Sequence, residues 1–178
     1  MRQLLLLPLC VAAVFAAGAL SNRRAPSFSL PDVTGKQYDI LDYRGRVLIL
    51  DIMKTSCPHC ELMTSVLEEI KKKHGERVAV LSVVNFPEDN PQTAAQYAKA
   101  RKMATPILFD CGSVAAAYLQ ANSFDTPHVF LIDAKGTIRN DFTYAPDTQQ
   151  FFEGTALMAE VEKLLASSSA PAAKKGAR

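Results

Sequence analysis

Val47-Leu48-Ile49-Leu50-Asp51-Ile52-Met53 runs directly into Lys54-Thr55-Ser56-Cys57-Pro58-His59-Cys60, and this junction decides the fold. The first stretch is apolar apart from Asp51, the pattern of a strand covered on both faces of a sheet. The period then changes. Leu62, Met63, Val66, Leu67 and Ile70 recur at spacings of three and four, which predicts one apolar face of a helix. Pro58 suits the first helical position, where its missing N–H costs nothing. Glu68–Lys72 and Glu69–Lys73 stand four residues apart in the favourable orientation. Lys71-Lys72-Lys73-His74 matches the negative end of the helix dipole, and Gly75 stops the coil. A buried strand therefore delivers a helix whose start carries two cysteines.

Upstream, Ser27–Leu30 alternates with period two, Val33-Thr34-Gly35-Lys36 supplies turn chemistry, and Gln37–Ile40 returns as a second strand, a short hairpin. Downstream, Val78–Phe86 is the next buried strand, and Asn90-Pro91 caps a helix reaching about Met103. Pro106–Asp110 predicts a short strand and Ser113–Ala121 a short helix. Val129–Ile132 and Thr137–Phe142 predict a hairpin around Asp133-Ala134-Lys135-Gly136. A last helix over Thr155–Leu165 turns Leu157, Val161, Leu164 and Leu165 inward. Strands alternating with helices, then a terminal hairpin and helix, give an α/β fold with a mixed central sheet flanked by helices.

The two ends read differently. Residues 4–20 carry no charge and finish in small residues; Ala17-Gly18-Ala19 matches a small-x-small cleavage site, so residues 1–19 read as a secretory signal peptide. A retained N-terminal membrane anchor is the alternative, since such a run is at the lower edge of what spans a bilayer. Either places the domain outside the cytoplasm, periplasmic or secreted. Cys10 within this run reads as a small hydrophobe. Residues 167–178 are rich in Ser, Ala and Lys without apolar period and read as a disordered tail. The folded unit is then residues 25–166. The net charge of +2 in 178 residues, with no Lys/Arg stripe, gives no electrostatic case for a nucleic-acid partner.

Cys57 and Cys60, spaced this way at a helix start, can close a small-ring disulfide and reopen it. Free backbone N–H groups and the helix dipole favour a thiolate at Cys57, the attacking species in disulfide exchange. Cys60, one turn further in and more sheltered, then resolves the mixed disulfide. His59 between them, when protonated, further favours the thiolate and makes the disulfide more oxidising. A structural bridge is rarely this tight. A metal site needs more ligands than Cys57, Cys60 and His59, and no second Cys-x-x-Cys or His pair exists, so no metal or other cofactor is expected. Cys111, between Asp110 and Gly112, reads as buried or idle, with a regulatory or resolving thiol as the other options.

The chain resembles the TlpA/ResA branch of the thioredoxin superfamily, close to the AhpC/TSA-like domains. The matching stretches are Ala25-Pro26-Ser27-Phe28-Ser29-Leu30 with Gly35-Lys36, Tyr43-Arg44-Gly45-Arg46-Val47-Leu48-Ile49-Leu50, Cys57-Pro58-His59-Cys60, and Thr126-Pro127-His128-Val129-Phe130-Leu131-Ile132-Asp133. The resemblance implies a thioredoxin-like fold with an N-terminal β-hairpin and thiol–disulfide exchange with protein partners, together with a membrane or soluble redox partner. It implies that Pro127 is a cis proline beside the active-site cysteines, an ordinary turn proline before a strand being the other reading. It also implies that the Thr126 backbone pairs with a substrate strand beside Cys57, with Pro58 also on the substrate side. It places at Asp51 a buried acid with a raised pKa that deprotonates Cys60 through a water. A strand carboxylate reaching solvent or pairing with Lys54 is the other reading of Asp51.

Departures narrow the resemblance. Ser56 replaces the family's frequent Trp, and Met63 replaces the acid of the ResA type. The Pro-His pair instead resembles the disulfide donor DsbA, while the stretch 85–125 is too short for its inserted helical domain. Two rivals share the scaffold. A peroxiredoxin-like thiol peroxidase needs Pro-x-x-x-Thr-x-x-Cys, and Leu50 and Lys54 stand where that proline and threonine belong. A non-enzymatic copper-binding module of thioredoxin fold is the other.

Overall fold

The computed structural model describes residues 19–85, 88–121 and 125–169. Most of the leader-like segment, Phe86, and the tail beyond residue 169 lie outside them. Two short strands, β1 (Ser29–Pro31) and β2 (Gln37–Asp39), form the expected antiparallel hairpin. The main sheet has five strands: β3 (Val47–Met53), β4 (Val78–Asn85), β5 (Ile107–Asp110), β6 (His128–Ile132) and β7 (Ile138–Thr143), in the order β5-β4-β3-β6-β7. β3 runs parallel to β4, and β4 to β5. β6 is antiparallel to both β3 and β7. The sheet is mixed, and β3 lies at its centre, buried along its whole length as its apolar run requires.

Successive residues of β3 face opposite layers. Leu48, Leu50 and Ile52 join Leu81, Val83, Phe130, Ile132 and Tyr118, the last from α3 (Ser113–Leu119). Val47 and Ile49 instead meet Met63, Leu67 and Ile70 of α1 (Pro58–His74) and Leu157, Val161 and Leu165 of α5 (Thr155–Ser169). Asp51 shares the parity of Val47, Ile49 and Met53 and so belongs to the α1 layer. A smaller cluster of Met53, Cys60, Val84, Ala94, Tyr97 and Ile107 forms beneath the start of α1, with α2 (Pro91–Arg101) covering it. Asn90 caps α2, accepting from the N–H groups of Gln92 and Thr93 at 3.0 Å each. A further short helix, α4 (Gln149–Phe152), precedes α5.

Several expectations change. α5 runs to Ser169, into the stretch read as tail, with the Ser167 and Ser168 hydroxyls both donating back to the Leu164 carbonyl. The folded unit also takes in residues before Ala25: Asn22 N–H donates to Ile138 O and Ile138 N–H to Arg23 O, pinning residues 22–23 along β7. Leu62 is 54 % exposed rather than inward; the buried face of α1 is Cys60, Met63, Thr64, Leu67 and Ile70, one position out of step with it. Val66 is only partly buried. Glu68 does not serve Lys72 in the observed hydrogen bonds; its carboxylate accepts from Ala104 N–H, Thr105 N–H and the Thr105 hydroxyl. Lys73 pairs with Glu162 of α5 at 2.7 Å instead of Glu69. Gly75 does end α1, at φ +57°, a left-handed angle that glycine adopts without strain.

Candidate active site

Cys57 is the N-cap of α1. The buried strand β3 ends at Met53, a tight turn donates Cys57 N–H to Lys54 O at 3.2 Å, and Pro58 starts the coil. The Cys57 sulfur accepts from Cys60 N–H at 3.4 Å, so its side chain does what a capping serine would do. Cys57 is half-buried and Cys60 fully buried. Both are free thiols. Burial pushes the Cys60 thiol far up, and the hydrogen bond to Cys57 and the charge of Asp51 push the same way.

Thr126 and Pro127 come from the other side of the sheet. β6 begins at His128, opposite Ile52, so the residues before it lie beside the exit of β3. The Thr126–Pro127 bond is cis, and the Cys57 thiol donates to the Thr126 carbonyl oxygen at 3.4 Å. His128 stacks on Phe130 with centroids 4.7 Å apart, and its Nε2 lies 3.4 Å from Asp141 Oδ2 on β7.

Asp51 sits in the α1 layer with no exposed surface. Its Oδ2 accepts from the Ser82 hydroxyl at 3.4 Å; Oδ1 is buried without a hydrogen-bond partner among the described residues. Burial raises its pKa from 3.8 to about 7, against the smaller opposite pull of Ser82. Lys54 pairs with Glu88 at 2.8 Å, and the reading of Asp51 as a solvent-reaching or Lys54-paired carboxylate falls away. Tyr97 lies within electrostatic reach of Asp51 and Cys60; its hydroxyl is 2.8 Å from Thr64 Oγ1, and burial pushes its pKa up to about 12.

Sequence reasoning did not find Asp89, Tyr144 or the exposure of Cys111. Asp89 is buried, and its carboxylate accepts from the Thr55 N–H (3.2 Å to Oδ2) and from the Thr55 hydroxyl, two residues before Cys57. Tyr144 stacks on His59 with centroids 3.6 Å apart and planes 16° apart, and is itself backed by Phe152 of α4. His59 Nδ1 is buried there without a hydrogen-bond partner among the described residues. Cys111 is exposed at the turn between β5 and α3, because Gly112 (φ +93°) bends the chain there while Asp110 turns inward to cap α3. Pro58 is exposed beside Cys57. Among the described residues, no helix is long and apolar enough to cross a membrane, and no group of three or more His, Cys, Asp and Glu gathers as metal ligands.

The AhpC/TSA family model matches residues 21–141. The chain is 28% identical over 138 residues to the thiol:disulfide interchange protein DsbE of Allochromatium vinosum, covering 75% of this chain and 72% of that protein. It is 30% identical over 133 residues to peroxiredoxin Bcp of Escherichia coli K12, covering 66% and 81%. A thiol:disulfide interchange protein of the thioredoxin family from Chlorobium tepidum TLS superposes with a TM-score of 0.67 at 20% identity, covering 80% of this chain and 96% of that one, a likeness of fold.

Proposed function

From the premise that the chain belongs to the AhpC/TSA family, and within it to the thiol–disulfide oxidoreductases of thioredoxin type, we propose that it exchanges a Cys57–Cys60 disulfide with dithiols of protein partners outside the cytoplasm. The observation that carries this reading is the division between the two thiols. Cys57 is within reach of solvent at a helix start and Cys60 lies buried behind it, with a cis-proline wall alongside.

In the reducing direction, the Cys57 thiolate attacks a partner disulfide. A Cys57–partner bond forms, and one partner sulfur leaves and takes up a proton. Cys60, too basic a thiol to ionise by itself, gives its proton through a water to the Asp51 carboxylate and attacks Cys57 Sγ. The second partner sulfur leaves as a thiol. The partner gains two electrons and two protons, and the enzyme holds the Cys57–Cys60 disulfide; the oxidising direction is the reverse. An extended partner segment is received by the Thr126 backbone and by Pro58 and Pro127. Export rests on the apolar, small-ended segment that precedes Leu20, and a membrane or soluble redox partner returns the Cys57–Cys60 couple to its starting state.

Cys57→Ala tests the reading: it abolishes dithiol-driven reduction of insulin, and retention of full activity overturns it. The similarity to peroxiredoxin Bcp keeps a second reading in view. Leu50 and Lys54 occupy the positions that shape a peroxide site, and Lys54 is engaged with Glu88. Rapid consumption of hydrogen peroxide by the reduced protein would reverse the ranking.

A further inference from the structure

Asp141 lies on β7 with a side chain only 8 % exposed. Its Oδ1 accepts from Leu20 N–H at 3.1 Å and from the Ser21 hydroxyl at 2.7 Å, and its Oδ2 faces His128 Nε2 at 3.4 Å. A strand carboxylate this sheltered is thus devoted largely to two residues near the beginning of the described chain. Burial works against its charge, but the bonds from His128, Ser21 and Leu20 outweigh it and hold the carboxyl below the usual range.

The chain on the C-terminal side of Leu20 is firmly strapped. Asn22 and Ile138, Ile138 and Arg23, and Ala25 and Gly136 exchange backbone bonds of 2.8, 2.9 and 3.0 Å. The Arg23 guanidinium holds Leu20 O at 2.9 Å and also reaches the Ala117 and Tyr118 carbonyls at the end of α3. Leu20 packs against the main core cluster, whereas Ala19 is exposed. The bond between them is where the sequence offers small residues at both specificity positions, Ala17 and Ala19.

We infer that hydrolysis of the Ala19–Leu20 bond during export creates a Leu20 ammonium that Asp141 receives, an ion pair fastening the mature N-terminus to β7. This rests on the extracytoplasmic reading above. The step is an amide hydrolysis by an endopeptidase of the export machinery: water's oxygen joins the Ala19 carbonyl carbon, the C–N bond breaks, and the freed amine takes up a proton. Where the unprocessed chain offers Asp141 one neutral N–H, the processed chain offers a cation, and charge-assisted bonds are about twice as strong as neutral ones. Because Asp141 also faces His128, the first residue of the neighbouring strand β6 and the one after Pro127, the pair lies one strand away from the cis-proline wall.

The test compares the chain from Leu20 to Arg178 with one that keeps Gly18 and Ala19, so that Leu20 N is again an amide. Both contain every residue of the three core clusters. The Leu20 chain melts roughly 3 °C higher, and the difference vanishes when both carry Asp141→Asn. The α-amine of the Leu20 chain, titrated by NMR, also stays protonated above the ordinary range of about 7.7–8.0. Equal melting with an unshifted amine, or a difference that survives Asp141→Asn, overturns the inference. N-terminal sequencing of the protein exported by a bacterial host reads Leu20 first. Export with another first residue overturns the inference alone, and retention inside the cell with Met1 intact overturns the extracytoplasmic reading as well. Insulin reduction by the same samples reports separately on the dithiol.

Discussion

The Cys57 thiol donates to the Thr126 carbonyl oxygen at 3.4 Å, a contact across 69 residues of chain. It brings the half-exposed sulfur against backbone that the following cis Pro127 turns towards it. In the proposed exchange, a partner strand laid along Thr126 would bring its own sulfur to Cys57, with Cys60 behind it.

That arrangement separates attack from resolution. Cys60→Ala leaves Cys57 able to attack but removes the group that expels the partner. Mixed disulfides therefore accumulate, visible as dithiothreitol-sensitive adducts on non-reducing gels. A Cys60→Ala protein that turned over insulin at the normal rate would contradict the assigned order.

Asp51 ties activity and stability to pH. Its folded pKa, about 7, lies above the ordinary 3.8. Its favourable contribution is therefore complete below about pH 4, declines as the unfolded chain ionises first, and is lost once pH passes about 7. Asp51→Asn removes this loss, so the variant gains on the wild type between pH 4 and pH 8, by up to about 4 kcal/mol. Urea midpoints at pH 4.5 and pH 8 check the sign; a gap that does not change with pH refutes it. The same substitution removes an inflection near pH 7 from the rate of mixed-disulfide resolution.

His59 stands between the cysteines with its ring face on Tyr144. His59→Pro shifts the Cys57–Cys60 couple to a lower reduction potential, by at least about 30 mV, the equivalent of about 1.4 kcal/mol for two electrons. Equilibration against glutathione buffers measures it. An unchanged potential removes His59 from the control of redox poise.

Asp89→Ala strips both acceptors from Thr55 and leaves a part-buried N–H at the base of the cysteine turn. Leaving such a donor unsatisfied costs about 1–3 kcal/mol, and the loosened turn slows insulin reduction while Cys57 still alkylates. Asp89→Asn, which keeps an acceptor, recovers most of the stability. Equal losses in the two variants would point to packing instead.

The parts legible in the sequence were those encoded locally. The apolar run of β3, the proline at the first position of α1, the Asn90 cap and the Gly75 stop each carry their instruction within a few residues, and the elements form where those instructions lie. The spacing of Cys57 and Cys60 placed both on one helix turn. Where two positions compete for one face, composition does not decide: Leu62 and Met63 are both apolar neighbours, yet Met63 is buried and Leu62 is exposed. Long-range partners were not legible at all. Glu68 has a lysine four residues on, yet three donors from Ala104 and Thr105 take its carboxylate. Nothing near Asp89 in sequence points to Thr55, and nothing near Tyr144 points to His59.

The sheet has two neighbourhoods that meet at one line. Residues 47–110 supply the parallel strands β3, β4 and β5, and residues 128–143 supply the hairpin of β6 and β7, joined to the rest along the antiparallel β3–β6 seam. Cys57 belongs to one side and Thr126-Pro127 to the other, so neither neighbourhood holds the site by itself. The reactivity of one sulfur thereby becomes a gauge of assembly: a chain whose hairpin has not docked displays Cys57 without its wall, and the rate at which a thiol reagent captures it during refolding times the closing of the seam.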